Sequence, residues 1–349
     1  MVEFVRIALR LFNGTLYYPF LWAILVYHIQ YFLLYWWGPL SGVIRDNIKT
    51  GACMKRTILC TMAILLLIAG CSSPSGGGGG RPEIPGMVWI NGGTFTMGSE
   101  DSQDNAASPS HTVTLTGFYM GKYEVTQEKY LEVMGINPSF FTINNGREPE
   151  TGEADIKRPV ESVSWYDALV FCNKLSIAEG LSPAYKISGS TDPAQWGAVP
   201  TSSVDPAWNA VEITANSTGY RLPTEAQWEY ACRAGTTTPW YCAETGVGDY
   251  AWYSVNSGSK THEVGKKLPN AYELYDMHGN VLEWCWDWYA SYPAVAQNDP
   301  VGASSGFLRV PRGGGCLDSA QDTRSASRSL IAPFNRLKDQ GFRLVRLSN

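Results

Sequence analysis

The sequence predicts a single irregular α+β domain, and three observations point to it. Helical periodicity is confined to three short stretches, each opened by its own capping residue. The full chain holds 35 Gly, 19 Tyr and 13 Trp, and the stretches between the short elements are rich in them. Aromatic side chains bury large areas without any regular spacing, so they can hold a loop-rich fold together. No internal repeat and no second linker divides residues 83–349, which therefore read as one domain.

The elements follow in order. Residues 88–90 and 93–98 read as two short strands joined at Asn91-Gly92, a dipeptide favoured in two-residue hairpin turns. Residues 111–115 and 118–125 read as further strands. Thr126 caps a helix that reaches Met134, where Gly135 stops it. A second helix opens at Ser164, which forms a capping box with Asp167; Ala168, Phe171, Cys172 and Leu175 then share one face, and Gly180 ends the pattern. The third opens at Thr224 with Gln227 closing its box; Trp228, Ala231 and Cys232 share a face, and Gly235 follows.

The first seventy residues belong to targeting rather than to the fold. Residues 16–37 form a nearly unbroken apolar and aromatic stretch, long enough to span a hydrocarbon core of about 30 Å. A complete export signal follows: basic Lys55-Arg56 after Met54, an apolar run over 58–67, then Ile68-Ala69-Gly70-Cys71. This ending resembles a bacterial lipobox, in which Cys71 is lipidated and becomes the mature N-terminus. Because the signal is complete from Met54, translation is expected to start there, leaving residues 1–53 a doubtful hydrophobic extension. Residues 54–70 are then the signal peptide, and residues 71–82, rich in Ser and Gly, a flexible tether. The expected location is the bacterial cell envelope, with the lipid on Cys71 as the contact to the membrane.

Charge narrows the partners. The full chain carries a formal charge of −5. Removing residues 1–70 takes out Arg6, Arg10, Arg45, Lys49, Lys55 and Arg56 but only Glu3 and Asp46, which leaves −9. An acidic domain without a basic patch offers nucleic acid no electrostatic footprint.

Several motifs then appear in a fixed order: Gly92-Gly93-Thr94-Phe95-Thr96-Met97-Gly98, Tyr123-Glu124-Val125-Thr126, Pro159-Val160-Glu161-Ser162-Val163-Ser164-Trp165, Arg221-Leu222-Pro223-Thr224-Glu225-Ala226-Gln227-Trp228-Glu229-Tyr230, Gly279-Asn280-Val281-Leu282-Glu283-Trp284, Arg312-Gly313-Gly314 and Gly341-Phe342-Arg343. Together they resemble the formylglycine-generating enzyme family, the sulfatase-modifying factors, over about residues 86–346. The resemblance implies a C-type-lectin-like variant fold, one compact domain with little regular structure. Residues 181–217 form an insertion between the second and third helices.

Active members of that family oxidise a cysteine of a sulfatase to formylglycine, using oxygen and copper held by two thiolates. Soft thiolates suit Cu(I). The corresponding segment here reads Arg312-Gly313-Gly314-Gly315-Cys316-Leu317-Asp318. Gly315 stands at the family's Ser position, Asp318 at the first copper Cys, and the second has no counterpart. A carboxylate cannot replace a Cu(I) thiolate, so copper and formylglycine-generating activity are not expected. The family's iron-dependent branch needs three His from an added helical domain, which this chain lacks.

The resemblance also implies structural calcium, carried by the Asp276 side chain, the Gly279 and Val281 carbonyls and the Glu283 carboxylate. Hard oxygens of that kind suit the ion. It implies further that the two disulfides of secreted relatives are lost, since Cys172 and Cys232 are kept while their partner positions read Ser325 and Leu344. The substrate groove would be lined by Cys316, Asp318, Arg324 and Arg328, with the arginines either clamping a ligand carboxylate or pairing with internal acids. The leading expectation is a binding module for a peptide, protein or glycan; the alternative is an enzyme of the same family with oxidative, sulfatase-activating or tailoring chemistry.

Overall fold

The computed structural model describes residues 81–101 and 106–348. The hydrophobic extension, the signal peptide, Cys71 and nearly all of the tether lie outside the described residues. Among the described residues no helix is long and apolar enough to cross a membrane.

The expected helices form where their caps place them. Helix α1, Gln127–Met134, opens with the Thr126 side chain accepting the Lys129 N–H and closes on Gly135 in the left-handed conformation. Helix α2, Trp165–Ala178, carries the Ser164/Asp167 capping box. It is buried on nearly every side, which is why its apolar face is broader than one stripe. Helix α3, Glu225–Arg233, carries the Thr224/Gln227 box and ends at Ala234, which is itself left-handed just before Gly235.

The hairpin at Asn91-Gly92 does not form. Strand β1 (Met87–Ile90) and strand β2 (Gly93–Met97) enter different sheets. A tight turn of that type needs positive φ at both central residues, and neither Asn91 nor Gly92 has it. The chain instead runs on past Leu115, so close that a Cβ on Gly92 would lie 2.6 Å from the Leu115 carbonyl oxygen.

Strand β2 pairs antiparallel with β3 (His111–Leu115), matching Met97 to His111. Strand β3 also meets the short β8 (Gln297–Asn298) in parallel. The strand expected over 118–125 stops at Gly121 as β4, Phe118–Gly121. Strand β4 lies between β1 and β11 (Val345–Arg346), antiparallel to both, so the first and last strands of the domain share one neighbour.

A third sheet is built on β7, Leu282–Trp288, flanked in parallel by β10 (Gln340–Gly341) and antiparallel by β9 (Arg309–Arg312), with a bulge between Trp284 and Trp288. Within the insertion, β5 (Tyr185–Lys186) and β6 (Glu212–Ile213) form a small ladder. Trp196 and Trp208 from this insertion pack into the core around α2.

Indole side chains tie α2 to β7. Trp165 donates to the Cys285 carbonyl and Trp284 to the Val163 carbonyl, both at 3.0 Å. The Arg309 guanidinium lies 3.6 Å from the Trp165 ring centre and 3.3 Å from that of Trp288. A second apolar cluster joins α3 to β2, β3 and β4 through Trp228, Phe118 and Val113.

Candidate functional site

The segment after β9 carries the first group of candidates. Arg312 ends the strand, and Gly313 and Gly314, both with positive φ, turn the chain into Gly315 and Cys316. A Cβ on Gly314 would lie 2.9 Å from Thr323, so this turn requires glycine for packing as well as for φ. Asp318 is half-buried, and its Oδ2 accepts the Gly315 N–H at 2.8 Å, closing the turn on itself. Burial pushes its carboxyl above the ordinary range. Cys316 is 0% exposed; its N–H donates to the Asn280 carbonyl and its carbonyl accepts the Ser257 hydroxyl at 2.6 Å. Burial, then Asp339 and Glu161, push the thiol far up, the opposite of what a reactive thiolate needs.

The Cys172, Cys232, Cys242, Cys285 and Cys316 thiols are all free. Cys232 Sγ lies 3.7 Å from Ser325 Oγ. His278, beside it, is driven down to about 3 by burial. Its Nδ1 lies 2.7 Å from the Thr323 carbonyl oxygen and its Nε2 accepts the Tyr241 N–H, so both ring nitrogens are occupied by backbone.

The four groove candidates do not converge on one cavity. Arg324 pairs with Asp101 at 3.0 Å and lies over the Trp240 ring. Arg328 sits elsewhere, gripping Glu225 through Nε (2.6 Å) and Nη2 (2.8 Å), while Nη1 donates to the Ala106 and Ala290 carbonyls. Of the four, Arg328 alone lines the cavity of about 470 Å³ that opens beside β7 and β8. Arg328 thus pairs with a buried acid, whereas Asp101, which pairs with Arg324, is exposed.

Glu225 belongs to a larger buried network. Arg312 donates to Glu225 Oε1 at 2.8 Å and to Glu229 Oε2 at 2.6 Å, and Arg233 takes the other oxygen of Glu229. Tyr292 adds its hydroxyl to Glu225. Burial opposes ionisation of Glu225, but Arg328 and Arg312 outweigh it and hold the carboxyl below its ordinary value.

Of the calcium candidates, the Asp276 and Glu283 carboxylates come together around Arg343. Glu283 is 0% exposed and accepts Arg343 Nε and Nη2, each at 2.6 Å, and the Trp228 indole N–H at 2.8 Å. Asp276 Oδ2 accepts the Gly265 N–H at 2.7 Å, while its buried Oδ1 has no partner. Burial raises Asp276 to about 6. Gly279 packs its backbone on Trp252, and Val281 N–H donates to Glu124 Oε1. Glu124, fully buried and also bonded by Asn280, completes the cluster. Its carboxyl is raised by burial, then by Asp276 and Glu283.

At Glu283 this arrangement does not fit a calcium ion. The charge of Glu283 is already answered by a bidentate guanidinium, which would repel a dication at the same oxygens. Among the described residues, no three His, Cys, Asp or Glu side chains converge as a metal site. Asp276 Oδ1 is a buried carboxylate oxygen left open.

Comparison with known proteins agrees with this build. A family model described as the sulfatase-modifying factor enzyme 1-like domain matches residues 78–348. The chain belongs to that family. It is 34% identical over 303 residues to the chaperone protein LppX of Paenibacillus barcinonensis, covering 81% of this chain and 96% of the relative. It is 31% identical over 296 residues to the formylglycine-generating enzyme of Mus musculus, covering 76% of each. Among solved structures, Treponema denticola variable protein 1 superposes with a TM-score of 0.69 at 42% identity, covering 75% of this chain and 94% of that one. The expected α+β fold of the sulfatase-modifying factors is thus the fold present.

Several residues that organise these sites were not among the sequence candidates: Glu124, Glu225, Glu229, Asp287, Arg312 and Arg343. All but Asp287 lie inside the quoted family motifs, which was the one available signal.

Proposed function

We propose that this sulfatase-modifying-factor chain is a cell-envelope lipoprotein whose domain binds a peptide, protein or glycan and does not oxidise cysteine. The observation that carries the reading is the turn after β9. Asp318, at the position of the first copper thiolate, spends its carboxylate on the Gly315 N–H, and the adjacent Cys316 is sealed from solvent. No thiolate is placed to take Cu(I) there, and a carboxylate is too hard a ligand to substitute. The lipobox at Cys71 and the Ser/Gly tether supply the anchoring half of the reading. The similarity to a relative named a chaperone protein, LppX, accords with a binding role.

The test has two arms. Incubating the protein with copper, oxygen and a sulfatase-derived cysteine peptide should give no aldehyde, and oxygen-dependent aldehyde formation would overturn the binding reading. Mass spectrometry of the mature N-terminus should find a lipid-modified Cys71, and C71S should release the protein from the membrane fraction. An unmodified Cys71 would remove the anchor.

A further inference from the structure

The cavity of about 470 Å³ beside β7 and β8 is separate from the turn that carries Asp318. Its walls include the apolar or aromatic Met97, Trp288 and Tyr292, together with His111, Asp287 and Asp299. Its size suits a small organic group, since ligand pockets run from roughly 300 to 1,000 Å³.

Charge bookkeeping inside it singles out one residue. Arg328 is the only Lys or Arg among its lining residues, and both edges of its guanidinium are committed to Glu225 and to two carbonyls. Glu225 in turn is answered by Arg312 and Arg328. Asp299 Oδ1 takes the Thr116 N–H and hydroxyl, and its Oδ2, on an exposed residue, is left to solvent. Asp287 differs. It is 5% exposed; its Oδ2 accepts the Glu225 N–H at 2.7 Å, and its Oδ1 hydrogen-bonds nothing among the described residues. Gly302 lies against this carboxylate, and a Cβ there would stand 2.8 Å from Oδ1. Glycine at this point leaves the oxygen uncovered.

We infer that the cavity binds a primary ammonium group on an apolar stem, with Asp287 Oδ1 as its anchor. An anion finds no free cation: the one lining guanidinium is committed to Glu225 and two carbonyls. A bare dication would need six to eight oxygens, and among the lining carboxylates only one oxygen of Asp287 and one of Asp299 is uncommitted. An alkylammonium group satisfies both halves, charge at Asp287 and stem against Met97 and Trp288. Such a group occurs on lysine side chains and on amino sugars, so the inference extends the binding-module reading by naming a site and a ligand chemistry. Burial and the Glu225 charge bring Asp287 up to about 7. Glu225, Arg328, Arg309 and Arg221 are the charged groups that bear on it, with His111 and Asp299 the other titratable groups lining the cavity.

The experiment is calorimetric titration of the full chain in detergent with Nα-acetyl-lysine methylamide, its Nε-acetylated form, and glucosamine. Binding of either amine, with loss on Nε-acetylation, is the expected result, and which amine binds identifies the source. D287N keeps an oxygen for the Glu225 N–H but removes the charge, and should weaken binding about tenfold or more. V301W, at the exposed rim of the cavity, should do the same by obstruction and without touching the buried network. Affinity should rise between about pH 6 and pH 8 as Asp287 ionises. Absence of amine binding, equal binding of the acetylated form, or indifference to both substitutions would overturn the inference. None of these results bears on copper chemistry, so failure here is distinguishable from failure of the binding-module reading.

Discussion

Glu283 and Asp287 stand near opposite ends of one strand, both buried, and the protein treats them differently. Glu283 meets a guanidinium fork and an indole N–H, so its charge is neutralised and its lone pairs are used. Asp287 meets one backbone N–H and a cavity. The first is fully answered from within the chain and serves the fold; the second keeps binding capacity in reserve. Carboxylates at similar depth are thus told apart by what surrounds them, since burial alone is unfavourable for both.

That contrast can be broken experimentally, beginning where the effect is greatest. R343M leaves Glu283 buried and charged without a cation, and should cost about 3–5 kcal/mol in denaturant unfolding. E283L/R343M should cost less than R343M alone, because the pair is then removed together. If the double variant were worse, Glu283 would have another role.

Asp287 makes a pH prediction of opposite character. Its pKa is raised from 3.8 to about 7 in the folded state, so between those values the native state binds the proton more tightly than the unfolded chain. Its contribution to stability is therefore present at low pH and lost as pH rises toward 7. D287N should stabilise the protein above neutrality, with the gap closing toward pH 4; urea midpoints across that range measure it. A gap that widens on acidification would contradict the assignment.

Smaller effects concern the turn after β9. D318A deprives the Gly315 N–H of its acceptor and should cost about 1 kcal/mol, a fall of roughly 2–4 °C in Tm for a domain of this size. Cys316 should resist alkylation until the protein unfolds, whereas the half-exposed Cys242 should react first. Chelation of calcium should move Tm by less than about 2 °C, and a larger fall would return the ion to the Asp276 cluster.

The helices were legible because their signals are local. Thr126, Ser164 and Thr224 each bond a backbone N–H three residues on, and the sequence displays both partners at once. Strand β7 was not legible, being buried on both faces and therefore lacking the alternation that marks a half-exposed strand. The hairpin at Asn91-Gly92 failed because tertiary pairing of β1 with β4 overrode a dipeptide preference. The site was legible only in halves. The motifs that announce the family contain Glu124, Glu225, Glu229, Glu283, Arg312 and Arg343, yet the pairing of Glu225 with Arg312 spans 87 positions. Residue spacing does not encode such partnerships. Asp287, outside every recognition motif, had no signal at all.

The placement of β11 beside β4 has a consequence for biogenesis. The central strand of that sheet is made early, but one of its edges is supplied only by Val345 and Arg346. During synthesis or export, β4 keeps an unpaired edge until Val345 and Arg346 have emerged, and unpaired edges invite association with other chains. Closure of this sheet is a late event with a long loop to overcome. Loss of Val345 and Arg346 would leave that edge of β4 open, a template for strands of other molecules.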